Sequence, residues 1–190
     1  MKRAWHPEEL VEHWTIVPGE WPLIEHKYGA TRLGFAVLFK FFQYAGYFPR
    51  APQDVPLMVV DHLAQQVGVP AHAWAQYAWY GRTIEYHRAQ IRQHLGFREA
   101  TVADGEMLVT WLCEQLLPTT RRTDHLKAAV AQRCRDLRLE PPTSERMDRL
   151  IRSAVHREDT RVGNRILHRL SAMTQGQLDA LLLKSDRFER

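Results

Sequence analysis

The segment Thr31 to Tyr44 constrains this chain most. Leu33, Phe35, Val37, Leu38, Phe41 and Phe42 cover most of the circumference of a helix there, and Gly46 stops it. A helix that is apolar on nearly every side offers no face to water, so other elements must wrap around it. The neighbouring sequence supplies helices for that purpose and no evident strand pattern. Pro7 followed by Glu8 and Glu9 predicts a helix to Trp14, and another falls across Glu20–Lys27. Asp54 is placed to cap a helix over Val55–Val67 that Gly68 ends, and Pro70–Ala78 follows. Thr83 is placed to cap a helix to Leu95, and Thr101 with Asp104 forms a capping box for Val102–Leu117. Thr123–Leu137, a long helix from Thr143 or Ser144 to Leu170, and Gln175–Lys184 capped by Thr174 complete the series. The expected fold is all-α and multi-helical.

With 190 residues, 45 % hydrophobic and 25 % charged, the chain has ordinary globular composition, which excludes a collagen-like repeat or a disulfide scaffold. Cys113 and Cys134 make neither a CxxC pair nor a disulfide framework. The longest apolar run, Phe35–Phe42, is interrupted by Lys40 and is too short for a bilayer, while Met1-Lys2-Arg3-Ala4-Trp5-His6 is no export signal. A cytoplasmic location without membrane contact is expected.

The net charge of +4 is unevenly placed. Residues 121–190 hold sixteen Lys and Arg against ten Asp and Glu, and only five of the 26 basic residues are lysines. Arginine presents a planar donor fork that suits phosphate oxygens, so nucleic acid is the first partner to consider. A solvated basic face has the same composition, and charge alone does not separate the two.

Three segments carry the chemistry. Val60 to Tyr77 has helix-turn-helix form, with Ala64, Gly68, Val69 and Trp74 supplying the small residue, the turn glycine and the apolar contacts that a tight helix crossing needs. His72 and Gln76 then fall at exposed positions of the second helix, where Gln76 can pair with adenine. From Gly81 to Arg98, Arg88 and Arg92 are four apart on one helix face, with Arg82, Thr83 and Arg98 flanking them, a row that can follow a phosphate backbone. In the long helix Arg146, Arg149 and Arg152 recur every three residues, and Arg157, Arg161, Arg165 and Arg169 every four. Ala128–Leu137, Pro141-Pro142 and Thr143–Ala154 repeat the helix, turn, helix order, which puts Thr143, Ser144, Arg146 and Arg149 at the start of a second reading helix. Each segment also fits a bland reading, as a helical hairpin or a solvated face. Enzyme signatures are missing: no phosphate loop, no GxSxG, no HExxH, and no zinc-type spacing among the ten histidines.

The residues also carry a resemblance. Thr31-Arg32-Leu33-Gly34-Phe35-Ala36-Val37-Leu38-Phe39-Lys40-Phe41-Phe42-Gln43, Phe48-Pro49, Tyr80-Gly81-Arg82-Thr83 with His87-Arg88 and Ile91-Arg92, Leu95-Gly96-Phe97-Arg98 and Trp111-Leu112 resemble, in this order, the amino-terminal region of TnpA-type transposases of the Tn-three family of replicative bacterial transposons. The similarity runs from about Pro7 to Leu183. It implies a DNA-binding region, often labelled only as of unknown function, that recognises the terminal inverted repeats through a bipartite helix-turn-helix organisation similar to that of centromere protein B. Tyr47 stands where the family commonly has arginine, so no phosphate contact is carried onto it. The family's three catalytic acidic residues belong to a ribonuclease-H-like region, and only that region would need magnesium; nothing here resembles it.

The expected protein is therefore non-catalytic and cofactor-free. It would have a first unit over 1–118, with the helix-turn-helix near 60–78, and a second, basic unit over 119–190. Its partners would be double-stranded DNA at the transposon ends and other transposase domains, in the bacterial nucleoid. His72, Gln76, Thr143, Ser144, Arg146 and Arg149 would read bases; Arg82, Thr83, Arg88, Arg92 and Arg98 would hold phosphates. The alternative is a helical module for protein contact, homodimerisation included. A small enzyme using His87 beside Glu85 is a further rival.

Overall fold

A computed structural model describes residues 5–170 and residue 174. The helix expected over Gln175–Lys184 lies outside the described residues. The fold is all-α. Among the described residues the only β pairing is an isolated parallel bridge between Arg98 and Leu139. The chain forms two compact units, one of residues 1–99 and 133–141, the other of residues 100–132 and 142–190.

The first unit is built around α3 (Gly29–Ala45). Its residues from Leu33 to Phe42 are all buried, as a helix apolar on every side requires. Around it pack α1 (Pro7–Trp14), the short α2 (Trp21–Ile24), α4 (Leu57–Val67) and α5 (Arg82–Leu95). Lys40 is the charged residue inside this core, and it is fully answered. Its Nζ lies 3.2 and 3.3 Å from the two carboxylate oxygens of Glu20, which also accept from Gln43 Nε2 at 2.7 Å and from the Val17 N–H at 3.0 Å. Such a cage is what a buried ion pair needs to offset its desolvation.

Several helix ends follow their sequence signals. Gly46, Gly68 and Gly96 close α3, α4 and α5 with φ of +77°, +66° and +70°. Others differ. Asp54 does not cap α4; its carboxylate accepts from the Arg50 and Ala51 N–H groups and closes a 3₁₀ turn at Pro52–Asp54, so α4 starts after Pro56. Thr83 is not a cap either, because Gly81 holds that position and the helix starts at Arg82. The segment expected over Glu20–Lys27 is a 3₁₀ turn at Pro18–Glu20 followed by α2.

The second unit contains α6 (Val102–Trp111), the first part of α7 (Thr123–Asp136) and α8 (Ser144–Leu167). The expected capping box opens α6: the Asp104 N–H donates to Thr101 Oγ1 at 3.2 Å, and the Thr101 N–H donates to Asp104 Oδ2 at 2.8 Å. The helix expected to run to Leu117 changes at Leu112 into a π-helical turn that ends at Leu116. That wider turn accompanies the burial of Leu112, Cys113 and Leu117, and Cys113 donates to the Ala154 carbonyl of α8 at 3.4 Å.

Candidate nucleic-acid interface

In the first unit, α4 and the segment after it form the turn that the sequence announces. Gly68 is left-handed, the Val69 N–H donates to the Ala64 carbonyl at 3.1 Å, and Ala64, Val69 and Trp74 are buried. The following element is not the expected α-helix over Pro70–Ala78; it is a 3₁₀ helix, Ala71–Gln76. Side chains three apart eclipse in 3₁₀ geometry, and this brings the rings of Trp74 and Tyr77 into a parallel stack 6.0 Å apart at 2°. His72 and Gln76 are both exposed. With three residues per turn they point about 120° apart, whereas an α-helix would set them on one face. His72 shares its face with Ala75 instead.

On α5, Arg82 and Thr83 are exposed beside Tyr86, and Arg82 has no salt-bridge partner among the described residues. Arg88 and Arg92 are only partly accessible and are engaged inside the unit. Arg88 Nη2 donates to the Pro49 carbonyl at 3.1 Å, with its guanidinium 5.4 Å from the Phe48 ring centre. Arg92 donates to Glu140 at 2.8 Å, pairs with Glu99 and lies 6.0 Å from the same ring. The row expected along a phosphate backbone thus converges on Phe48 and ties the loop before α4 to residues 99 and 140. Arg98 is exposed, and its backbone bonds to the 138–140 segment.

His87, the residue the enzyme rival needs, is 4 % exposed and belongs to the core. Its Nδ1 lies 2.8 Å from the Tyr77 hydroxyl, and its ring stacks on Tyr77 at 5.8 Å. Burial, with a smaller contribution from the Lys27 ammonium, pushes its pKa down to about 4. A neutral, enclosed imidazole of this kind is structural.

In the second unit Thr143 caps α8, accepting from the Arg146 N–H at 3.4 Å. Thr143, Ser144, Arg146 and Arg149 are all exposed, and Arg146 also reaches the Thr101 carbonyl at 3.5 Å. The basic stripe further along is partly answered. Arg157 pairs with Glu106 at 2.8 Å, and Arg161 grips the buried Glu158 through two bonds of 2.9 Å. Arg121 with Asp159 and Lys127 with Asp148 add two exposed or half-exposed pairs of 2.6 Å. Arg149, Arg152 and Arg165 are exposed with no salt bridge among the described residues, so accessible cations lie toward both ends of α8.

Sequence spacing missed one arrangement. Arg138, forty residues from Arg98 along the chain, is bonded to it through the backbone, and Arg135 and Arg138 line one groove of the first unit. Pro141-Pro142 marks the end of this segment, but no local pattern indicates its partner.

The fold and these faces define an all-α protein of two helical units with exposed arginines near the starts of α5 and α8. A family model described as Domain of unknown function (DUF4158) matches residues 1–154, and the chain belongs to that family. The chain is also 24 % identical over 180 residues to an Escherichia coli protein described as Transposase for transposon Tn3926. That match covers 94 % of this chain and 18 % of the transposase, so the chain spans under a fifth of its relative's length. Among the described residues no helix is long and apolar enough to cross a membrane, and no group of three or more His, Cys, Asp or Glu is placed to hold a metal ion.

Proposed function

We propose that this chain is a non-catalytic, DNA-binding region of a transposase that recognises the terminal inverted repeats of its transposon. The observation that carries the reading is the alignment of 94 % of the chain with a transposase. The accessible arginines at the starts of α5 and α8 support it. Arg82, Thr83 and Arg98 in the first unit hold phosphates. Arg88 and Arg92 contribute less, because each would exchange an internal partner, Pro49 or Glu99, for a phosphate. Thr143, Ser144, Arg146 and Arg149 read bases from the amino-terminal end of α8. His72 and Gln76 read from the 3₁₀ segment, where their divergence lets at most one enter a given groove edge. Strand cutting and joining would fall to a magnesium-dependent catalytic region elsewhere in the transposase.

Footprinting on the terminal inverted repeat tests this. The chain should protect a discrete stretch of the repeat, and Arg149→Ala should lose discrimination at one position while Arg82→Ala weakens binding to all sequences. Uniform protection of repeat and flanking DNA would refute end recognition. The second reading, a protein-contact module, draws on an apolar groove lined by Phe41, Tyr47, Val55, Leu57 and Trp74, where Leu57 is 74 % exposed. It predicts self-association or capture of other transposase domains with no preference for the repeat.

A further inference from the structure

Arg138 adopts a backbone conformation that its side chain disfavours. At φ +54° it is the non-glycine residue with positive φ among those described. It ends α7 with the hydrogen bonds of a glycine-terminated helix, the Leu139 N–H donating to Cys134 at 2.8 Å and the Arg138 N–H to Arg135 at 3.0 Å. At the ends of α3, α4 and α5 this chain places glycine in that conformation. An arginine here calls for another explanation.

Its side chain supplies one. The guanidinium lies 5.3 Å from the ring centre of Phe97 and has no carboxylate partner among the described residues. A guanidinium held over a ring in this way keeps N–H donors available. The Arg138 carbonyl accepts from the Arg98 N–H at 3.0 Å, and the Glu140 N–H donates to the Arg98 carbonyl at 2.8 Å, so the backbone at Arg138 is fixed beside that of Arg98. Arg135 stands one turn earlier, its Cδ 3.1 Å from where a Cβ on Gly46 would sit. Arg135, Arg138, Phe97, Leu95 and Gly46 line an open groove of about 580 Å³, in which Asp136 is the one acidic lining residue.

We propose that Arg138, with Arg135 lining the same groove, holds a phosphodiester of bound duplex DNA there. The proposal rests on the DNA-binding reading and adds a contact that neither the helix-turn-helix pattern nor the arginine spacing contains. The planar fork, placed over Phe97, presents two parallel donors to phosphate oxygens, and two arginines against one carboxylate in the groove lining favour an anion.

The test compares Arg138→Gly, Arg138→Gln and Arg138→Lys in the full chain, by thermal melting and by anisotropy with duplex DNA across a salt series. Glycine relieves the backbone and removes the cation, so the melting temperature should rise by about 1–4 °C. Affinity should nevertheless fall by about threefold to tenfold, and the salt slope should flatten by about one. Glutamine should give the same loss of slope, and lysine should keep most of it. Unchanged affinity and slope in the glycine and glutamine variants would overturn the proposal while leaving the DNA-binding reading intact, and would assign this face to an acidic protein partner. A wild-type chain that binds no duplex at low salt would overturn both.

Discussion

Replacing Gly34 with alanine tests the packing of the first unit at its tightest point. Gly34 lies on α3 facing Tyr77, and an added Cβ would stand 2.1, 2.3 and 2.5 Å from three atoms of that ring. Ordinary carbon contacts are about 3.5–4.0 Å, so ring or backbone must move by more than about 1 Å. Tyr77 has little room to do so. The Trp74 ring lies parallel to it at 6.0 Å and the His87 ring at 5.8 Å, and its hydroxyl is held by His87 Nδ1 at 2.8 Å. Overpacking of this kind costs about 1–3 kcal/mol, and loss of the buried hydrogen bond adds about 1 kcal/mol. The gain in helix propensity from glycine to alanine offsets about 1 kcal/mol. A net loss of about 1–3 kcal/mol should lower the melting temperature by about 2–12 °C in a chain of this size. Thermal and urea unfolding of Gly34→Ala measure it directly. Gly105→Ala on α6 is the control, since nothing lies within 4 Å of its added Cβ and it should be neutral or stabilising. If Gly34→Ala melts at or above the wild-type temperature, the close approach of Tyr77 to α3 is wrong.

Two further predictions concern buried charge. His87 has a folded-state pKa of about 4 against 6.5 for the free side chain, so between these values the unfolded chain binds the extra proton and stability falls as pH falls. From pH 7 to pH 5 this residue should account for about 2 kcal/mol of lost stability, read by urea titration at both pH values, and His87→Phe should remove that share; an equal loss in the variant would contradict the assignment. Lys40→Met leaves the Glu20 carboxylate buried with only Gln43 and the Val17 N–H as donors, and should cost about 3 kcal/mol in urea unfolding. Adding Glu20→Gln should recover most of that loss, and a double variant no more stable than Lys40→Met would refute the pairing.

Local signals carried the elements they could physically determine. The all-round apolar pattern of Thr31–Tyr44 required a central helix, and the Thr101 and Asp104 pair and the left-handed glycines fixed helix ends by backbone chemistry that needs no distant partner. The 3₁₀ form of Ala71–Gln76 was hidden because it depends on stacking Trp74 on Tyr77 against a glycine of α3, a contact made across more than thirty residues of sequence. Arg92 illustrates the same limit for the site. Four-residue spacing correctly placed it on a face with Arg88, but spacing carries no information about Glu140, which occupies its guanidinium from 48 residues away. Arg138 was invisible for the converse reason: its position beside Arg98 is set by the isolated bridge and by the return of the chain to the first unit.

The central claim is that the two units read transposon ends. Fluorescence anisotropy of the purified chain with the terminal inverted repeat of its own transposon and with a scrambled duplex, across a salt series, tests it most directly. The account predicts a preference for the repeat of about a thousandfold or more at physiological salt, with a steep salt slope. Equal, weak binding to both duplexes would contradict it and leave only a basic helical surface.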